Sequence, residues 1–89
     1  MNDNFTLNQN SPNPFNPDTQ IAFDVPEMSN VKLSVFDITG KEVAVLVNGV
    51  LDKGRHLYQW NASDFASGTY FYRINVNGVL KTMKMNLIK

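Results

Sequence analysis

Apolar and polar residues alternate with a period of two along most of the chain. Ile21, Phe23 and Val25 alternate with Gln20, Ala22 and Asp24, and Val31, Leu33 and Val35 with Lys32, Ser34 and Phe36. Tyr70, Tyr72, Ile74 and Val76 alternate with Phe71, Arg73 and Asn75, and Met83, Met85 and Leu87 with Lys84, Asn86 and Ile88. A shorter run sets Leu57, as the apolar position, between His56 and Tyr58. Successive side chains of an extended chain point to opposite faces, so the pattern predicts strands buried on one face. β-branched and aromatic residues dominate these runs, as strands favour. The expected strands lie near 4–8, 19–25, 31–37, 42–47, 55–60, 69–76 and 79–88. The stretch Glu42-Val43-Ala44-Val45-Leu46-Val47 is also compatible with a short helix, but its brevity and its three valines favour a strand.

Turn residues punctuate the runs. Pro26-Glu27-Met28-Ser29-Asn30 and Thr39-Gly40-Lys41 separate strands, and Asn48-Gly49, Asn77-Gly78 and Asp52-Lys53-Gly54 read as hairpin turns. Residues 63–68 form a longer turn with room for one helical turn. Short strands at regular spacing with turns between them predict an all-β, immunoglobulin-like antiparallel β-sandwich of about seven strands. Asp64, Gly68 and Tyr70 have the spacing of a tyrosine corner, in which Gly68 permits a sharp entry and the Tyr70 hydroxyl ties to upstream backbone. The segment 10–17, Asn10-Ser11-Pro12-Asn13-Pro14-Phe15-Asn16-Pro17, stands apart. Its prolines remove backbone donors and forbid a central strand, so it reads as a stiff crossing segment that places Phe15 as a buried plug.

Size and charge narrow the function. The 89 residues, 10.1 kDa, make one domain spanning 1–89. A chain of this mass buries roughly 64% of its unfolded surface, enough for an independent fold of modest stability. Eight basic residues balance eight acidic ones, which removes the basic excess expected of a nucleic-acid binder. The absence of cysteine excludes disulfides and thiolate chemistry. No apolar run approaches the ~20 residues of a membrane-spanning helix. The N-terminus is polar and does not read as a signal peptide, so if the domain is exported its signal is expected on an upstream segment.

Candidates for catalysis are weak. His56 is the only histidine, and a zinc site built on it would need carboxylates from separate loops, so no metal and no cofactor is expected. The carboxylates sit at strand ends and turns, where they cap backbone, and no calcium-loop spacing occurs. No nucleophile elbow and no phosphate loop is present, so the chain is not expected to be an enzyme. Most of the aromatics are expected in the core; Phe36 and Phe71 fall out of phase and can form a small exposed patch or pack under a loop.

Several pieces in fixed order resemble a known family. They are Leu7 to Pro17, Thr19 to Pro26, Val31-x-Leu33-x-Val35-Phe36-Asp37-x-x-Gly40-Lys41-Glu42-Val43, Gly54-x-His56-x-x-x-Trp60, Ala66 to Arg73, and Lys81 to Lys89. From Phe5 to Lys89 the chain is similar to the C-terminal sorting domain of the type IX secretion system of Bacteroidetes-like bacteria. The same motifs resemble the immunoglobulin-like domain of flagellar-hook capping proteins. That domain carries a longer glycine-rich insertion between its Trp and Tyr motifs, and here the short Trp60–Tyr70 interval favours the sorting domain.

The resemblance implies an address rather than chemistry. A covalently linked upstream cargo reaches the periplasm, an outer-membrane translocon and a shuttle protein recognise the folded domain, and a sortase-like surface peptidase removes it as the cargo is attached at the cell surface. It assigns translocon recognition to Met83, Lys84, Met85, Asn86, Leu87, Ile88 and Lys89. It gives a mostly structural role to Pro12, Asn13, Pro14, Phe15, Gly40, Trp60, Gly68, Tyr70 and Tyr72. The last strand is expected at a sheet edge, where Lys81, Lys84 and Lys89 oppose aggregation while main-chain groups remain open to a receptor strand. Deleting Leu87–Lys89 is expected to block export and leave much of the fold. The competing reading is a carbohydrate-binding or structural accessory module of a secreted glycoside hydrolase; a binding module would show an exposed aromatic row.

Overall fold

The computed structural model describes residues 5–88. Seven strands run in the order β1 (Thr6–Leu7), β2 (Asp18–Val25), β3 (Ser29–Phe36), β4 (Glu42–Leu51), β5 (Gly54–Asn61), β6 (Gly68–Val76) and β7 (Val79–Leu87), with no helix among the described residues. They form two antiparallel sheets, β1-β2-β5 and β4-β3-β6-β7, as in an immunoglobulin-like sandwich. The strand-like reading of 42–47 is borne out, whereas residues 63–68 form turns, with Phe65 N–H donating to Ala62 O at 3.0 Å, and no helical turn.

Alternation places one row of each long strand in the core. Ile21, Phe23 and Val25 of β2 face Val31, Leu33 and Val35 of β3, Tyr70 to Val76 of β6 in alternation, and Met85 and Leu87 of β7. Each such side chain contributes about 1.5–3 kcal/mol by leaving water.

The phase of β5 is opposite to the sequence expectation. Leu57 is 54% exposed, while His56, Tyr58 and Trp60 turn inward. Residues directly opposite in an antiparallel pair share a face. Here Phe23 opposes His56, Ile21 opposes Tyr58 and Thr19 opposes Trp60. The inward row of β2 therefore sets the inward row of β5, and Phe23 stacks on Tyr58 with ring centroids 5.9 Å apart. One exposed leucine is outweighed by the larger Tyr58 and Trp60 rings on the other face.

The turns divide into two kinds. Asn77, at φ 51°, and Gly78, at φ 92°, make a two-residue hairpin loop joining β6 to β7, the geometry that matches strand twist. Asp37 organises the β3–β4 hairpin by accepting from the N–H groups of Thr39 and Lys41 at 2.9 and 3.1 Å. The Thr39 hydroxyl, first among these donors, holds the Asp37 carboxyl below its usual range. Asn48-Gly49 is no turn: it lies inside β4, where Lys32 opposes Asn48 and Val31 opposes Gly49. Strand β3 continues to Ser29 opposite Leu51, so the ladder carries the chain past the Asn-Gly pair. The Asp52-Lys53-Gly54 turn then moves the chain from one sheet to the other rather than closing a hairpin.

The segment before β2 also changes sheets. Thr6 and Leu7 pair with Asp24 and Phe23, and Ser11 pairs with Gln20 at the edge of the first sheet. After Pro12 the chain crosses, and Phe15 forms a parallel bridge with Leu87 of the second sheet. Phe15 is 2% exposed in this segment.

Candidate functional site

Strand β7 is the edge of the four-stranded sheet, and residues 5–15 lie against it as a strap. The contacts are specific. Phe15 N–H donates to Asn86 O at 3.0 Å and Ile88 N–H donates to Phe15 O at 2.9 Å. Asn86 N–H donates to Asn13 Oδ1 at 3.1 Å. Gln9 Nε2 donates to Lys84 O at 2.9 Å. Lys81 Nζ donates to Phe5 O at 2.6 Å and sits 4.4 Å above the Phe5 ring.

This wiring sorts the residues assigned to recognition. Met85 and Leu87 are core side chains, and Met83 packs partly buried against them. Asn86 is half-buried and its N–H and C=O are both taken by the strap. Lys84 and Ile88 alone present exposed side chains among the described members, and Lys89 lies outside the described residues. The expectation of an open edge along the whole strand is therefore corrected at its tip, which Asn13 and Phe15 cover. Deleting Leu87–Lys89 also removes a core side chain and the Phe15 bridge, so such a deletion is not confined to the address.

The strap is anchored through its polar atoms. Tyr72, fully buried in β6, donates from its hydroxyl to Asn8 O at 2.6 Å and accepts from Asn10 N–H at 2.8 Å. Burial pushes its phenol up to about 12. The Asn10 amide donates to Pro12 O at 3.1 Å and to Thr19 Oγ1 at 2.9 Å, and Thr19 Oγ1 donates to Pro12 O at 3.0 Å. Asn10 and Thr19 are buried polar residues that the sequence reading missed. Thr19 had a legible signal, because it stands in phase with Ile21, Phe23 and Val25. Asn10 had none, because its partners come from outside its own run.

Several of the remaining motif residues make packing or backbone contacts within the fold. Trp60 contacts Phe15, Phe65 and Tyr70 at centroid distances of 5.8, 5.3 and 5.5 Å. Gly68 opens β6 at φ +151° and Gly40 turns at φ +89°, both in the region that favours glycine. Pro14 is exposed on the strap. The tyrosine corner is present: Tyr70 donates its hydroxyl to Ala66 O at 2.7 Å. Tyr70→Phe is expected to lower the unfolding free energy by about 1–2 kcal/mol, the cost of the lost bond; an unchanged urea midpoint would rule that role out.

The domain matches a family model for the secretion-system C-terminal sorting domain over residues 11–89. The chain belongs to this family. A comparison with curated proteins gives no match. The sorting domain is the address portion of a type IX secretion cargo, which implies fusion to an upstream cargo and secretion or cell-surface localisation. No described helix of the sorting domain is long and apolar enough to cross a membrane.

Chemistry elsewhere on the sorting domain is sparse. Among the described residues no three His, Asp or Glu side chains gather in a way that could hold a metal. His56 stacks on Phe23 at 5.5 Å, and its Nε2 lies 2.8 Å from Asp52 O. Among the described residues every aromatic side chain is buried or half-buried. Phe36 and Phe71 are half-buried and opposite each other, with the Arg73 guanidinium 4.4 Å above the Phe36 ring.

Proposed function

We propose that the sorting domain directs its cargo through the outer membrane by presenting a folded terminal strand to the translocon and a shuttle protein. A surface peptidase of sortase type then severs it, and the cargo stays at the cell surface. The observation that carries this reading is the wiring of β7. Family membership makes the domain an address, and the strap holds the end of that address in one conformation.

Within residues 83–89, Lys84 and Ile88 are the side chains available for reading. Ile88 is 54% exposed and Lys84 is exposed, so both side chains are accessible to a partner. Combined Lys84→Ser and Ile88→Ser replacement is expected to shift stability by less than about 0.5 kcal/mol, because neither side chain is in the core. The same variant is expected to leave most of a fused reporter in the periplasm. The measurement is a signal peptide, a fluorescent reporter and residues 2–89 in that order, expressed in a type IX-competent bacterium and in a translocon-deficient sibling. Delivery of the unaltered fusion only in the competent strain supports the sorting reading, and periplasmic retention in both refutes it. Normal delivery of the double variant would remove these two side chains from recognition.

A further inference from the structure

The geometry points to a strand-docking site at the N-terminal part of the β7 edge, residues 80–84, built for an extended acidic segment of a partner protein. Asn86 turns both its N–H and its C=O away from β6 and into the strap. Main-chain direction alternates along an antiparallel strand, so Leu80, Thr82 and Lys84 face the same way. The strap takes Lys84 O, and no described residue bonds the outward groups of Leu80 and Thr82 or the N–H of Lys84. Among the described residues the edge thus has a closed tip and an open run of five main-chain groups.

The side chains around that run set the partner's chemistry. Leu80 is 52% exposed, and Thr82, Lys81 and Lys84 are exposed as well. Neither lysine has a carboxylate partner among the described residues, and Lys81 is drawn back over Phe5, away from a position where it would shield the edge. A second copy pairing in the register that sets Lys84 against Lys84 would place like charges directly opposite each other, which is destabilising. An added strand with an acidic residue opposite Lys84 and an apolar one opposite Leu80 meets charge with charge and covers the leucine. Strand addition draws its affinity from main-chain bonds and its selectivity from alternate side chains. The proposal rests on the sorting reading for its use in export, but its geometry stands apart from that reading.

The probe is a capped heptapeptide, Thr-Glu-Thr-Thr-Thr-Val-Thr, whose antiparallel pairing sets its glutamate opposite Lys84 and its valine opposite Leu80, titrated into the purified 89-residue chain. It is expected to slow amide exchange at Leu80, Thr82 and Lys84 by about tenfold or more, and to bind at least about tenfold more tightly than the same peptide with lysine in place of its glutamate. Thr82→Pro deletes an outward N–H, a change an edge strand tolerates because the β6 ladder is untouched; it is expected to abolish binding. Lys84→Glu, which folds whether or not the proline variant does, is expected to reverse the preference between the two peptides. Equal affinity for both peptides, protection confined to other strands, or a β7–β7 dimer lost in Thr82→Pro would each overturn the proposal. If Lys84→Glu fails to bind the acidic peptide yet is exported like the unaltered chain, the edge is not the export contact and the sorting reading stands. Retention of the unaltered chain in the competent strain removes the sorting reading and leaves the titration to judge the edge alone.

Discussion

Phe15→Ala is expected to lower the unfolding free energy by about 3–5 kcal/mol, the usual cost of emptying a buried phenylalanine site. The ring is buried against Trp60, and its own N–H and C=O hold Asn86 and Ile88. A domain of this size has only about 4–13 kcal/mol in total, so the variant sits near the edge of folding. Urea denaturation at low temperature measures the loss. Hydrogen exchange distinguishes its two parts: the amides of Asn86 and Ile88 are expected to lose protection well before those of β3 and β6, because the strap is the only described partner of those two outward N–H groups. Uniform loss of protection would show that the plug supports the whole core and that the tip has no separate dependence on the strap.

Tyr72→Phe is expected to cost about 2–4 kcal/mol, more than Tyr70→Phe, although each deletes a single oxygen. The Tyr70 hydroxyl serves one carbonyl beside a turn. The Tyr72 hydroxyl serves a carbonyl and a buried N–H of the strap at once, and leaving both without partners costs roughly 1–3 kcal/mol each. A pH dependence follows. The folded phenol is raised to about 12 from the ordinary 10.0, so folding favours its protonated form. Stability from this group is complete below pH 10 and is lost as pH rises from 10.0 toward about 12, because the unfolded chain ionises first. Denaturation midpoints followed across that window are expected to fall more steeply for the unaltered chain than for Tyr72→Phe. Parallel slopes would exclude Tyr72 as the titrating group.

Both variants act on the same object, the junction between the incoming chain and the outgoing strand. Phe15 and Leu87 are far apart in sequence and adjacent in space, so a change at Phe15 falls directly on β7. The charged pairs elsewhere, Lys32–Glu42 at 3.4 Å and Arg55–Asp24 at 3.2 Å, are largely exposed and contribute about 0–1 kcal/mol each. They leave the strap and the core to decide stability.

Alternation by itself determined the inward rows of β2, β3, β6 and β7, because side-chain direction in an extended chain is a local property. Turn chemistry determined the Asn77-Gly78 loop, since both residues accept positive φ, and the spacing of Gly68 and Tyr70 determined the corner. Proline content marked the crossing segment, and the ordered motifs marked the family. Tertiary structure decided the rest. The phase of β5 followed from which face of β2 it met, against the hint of Leu57. The Asn48-Gly49 pair was drawn into β4 because β3 extended far enough to keep the ladder going. The closed tip and open run of β7 arose from hydrogen bonds between Gln9, Asn13 and Phe15 and a strand some seventy residues later. A side chain's direction is fixed by its neighbours in sequence, whereas pairing partners and edge coverage are fixed by free-energy differences between segments that meet only in the folded chain.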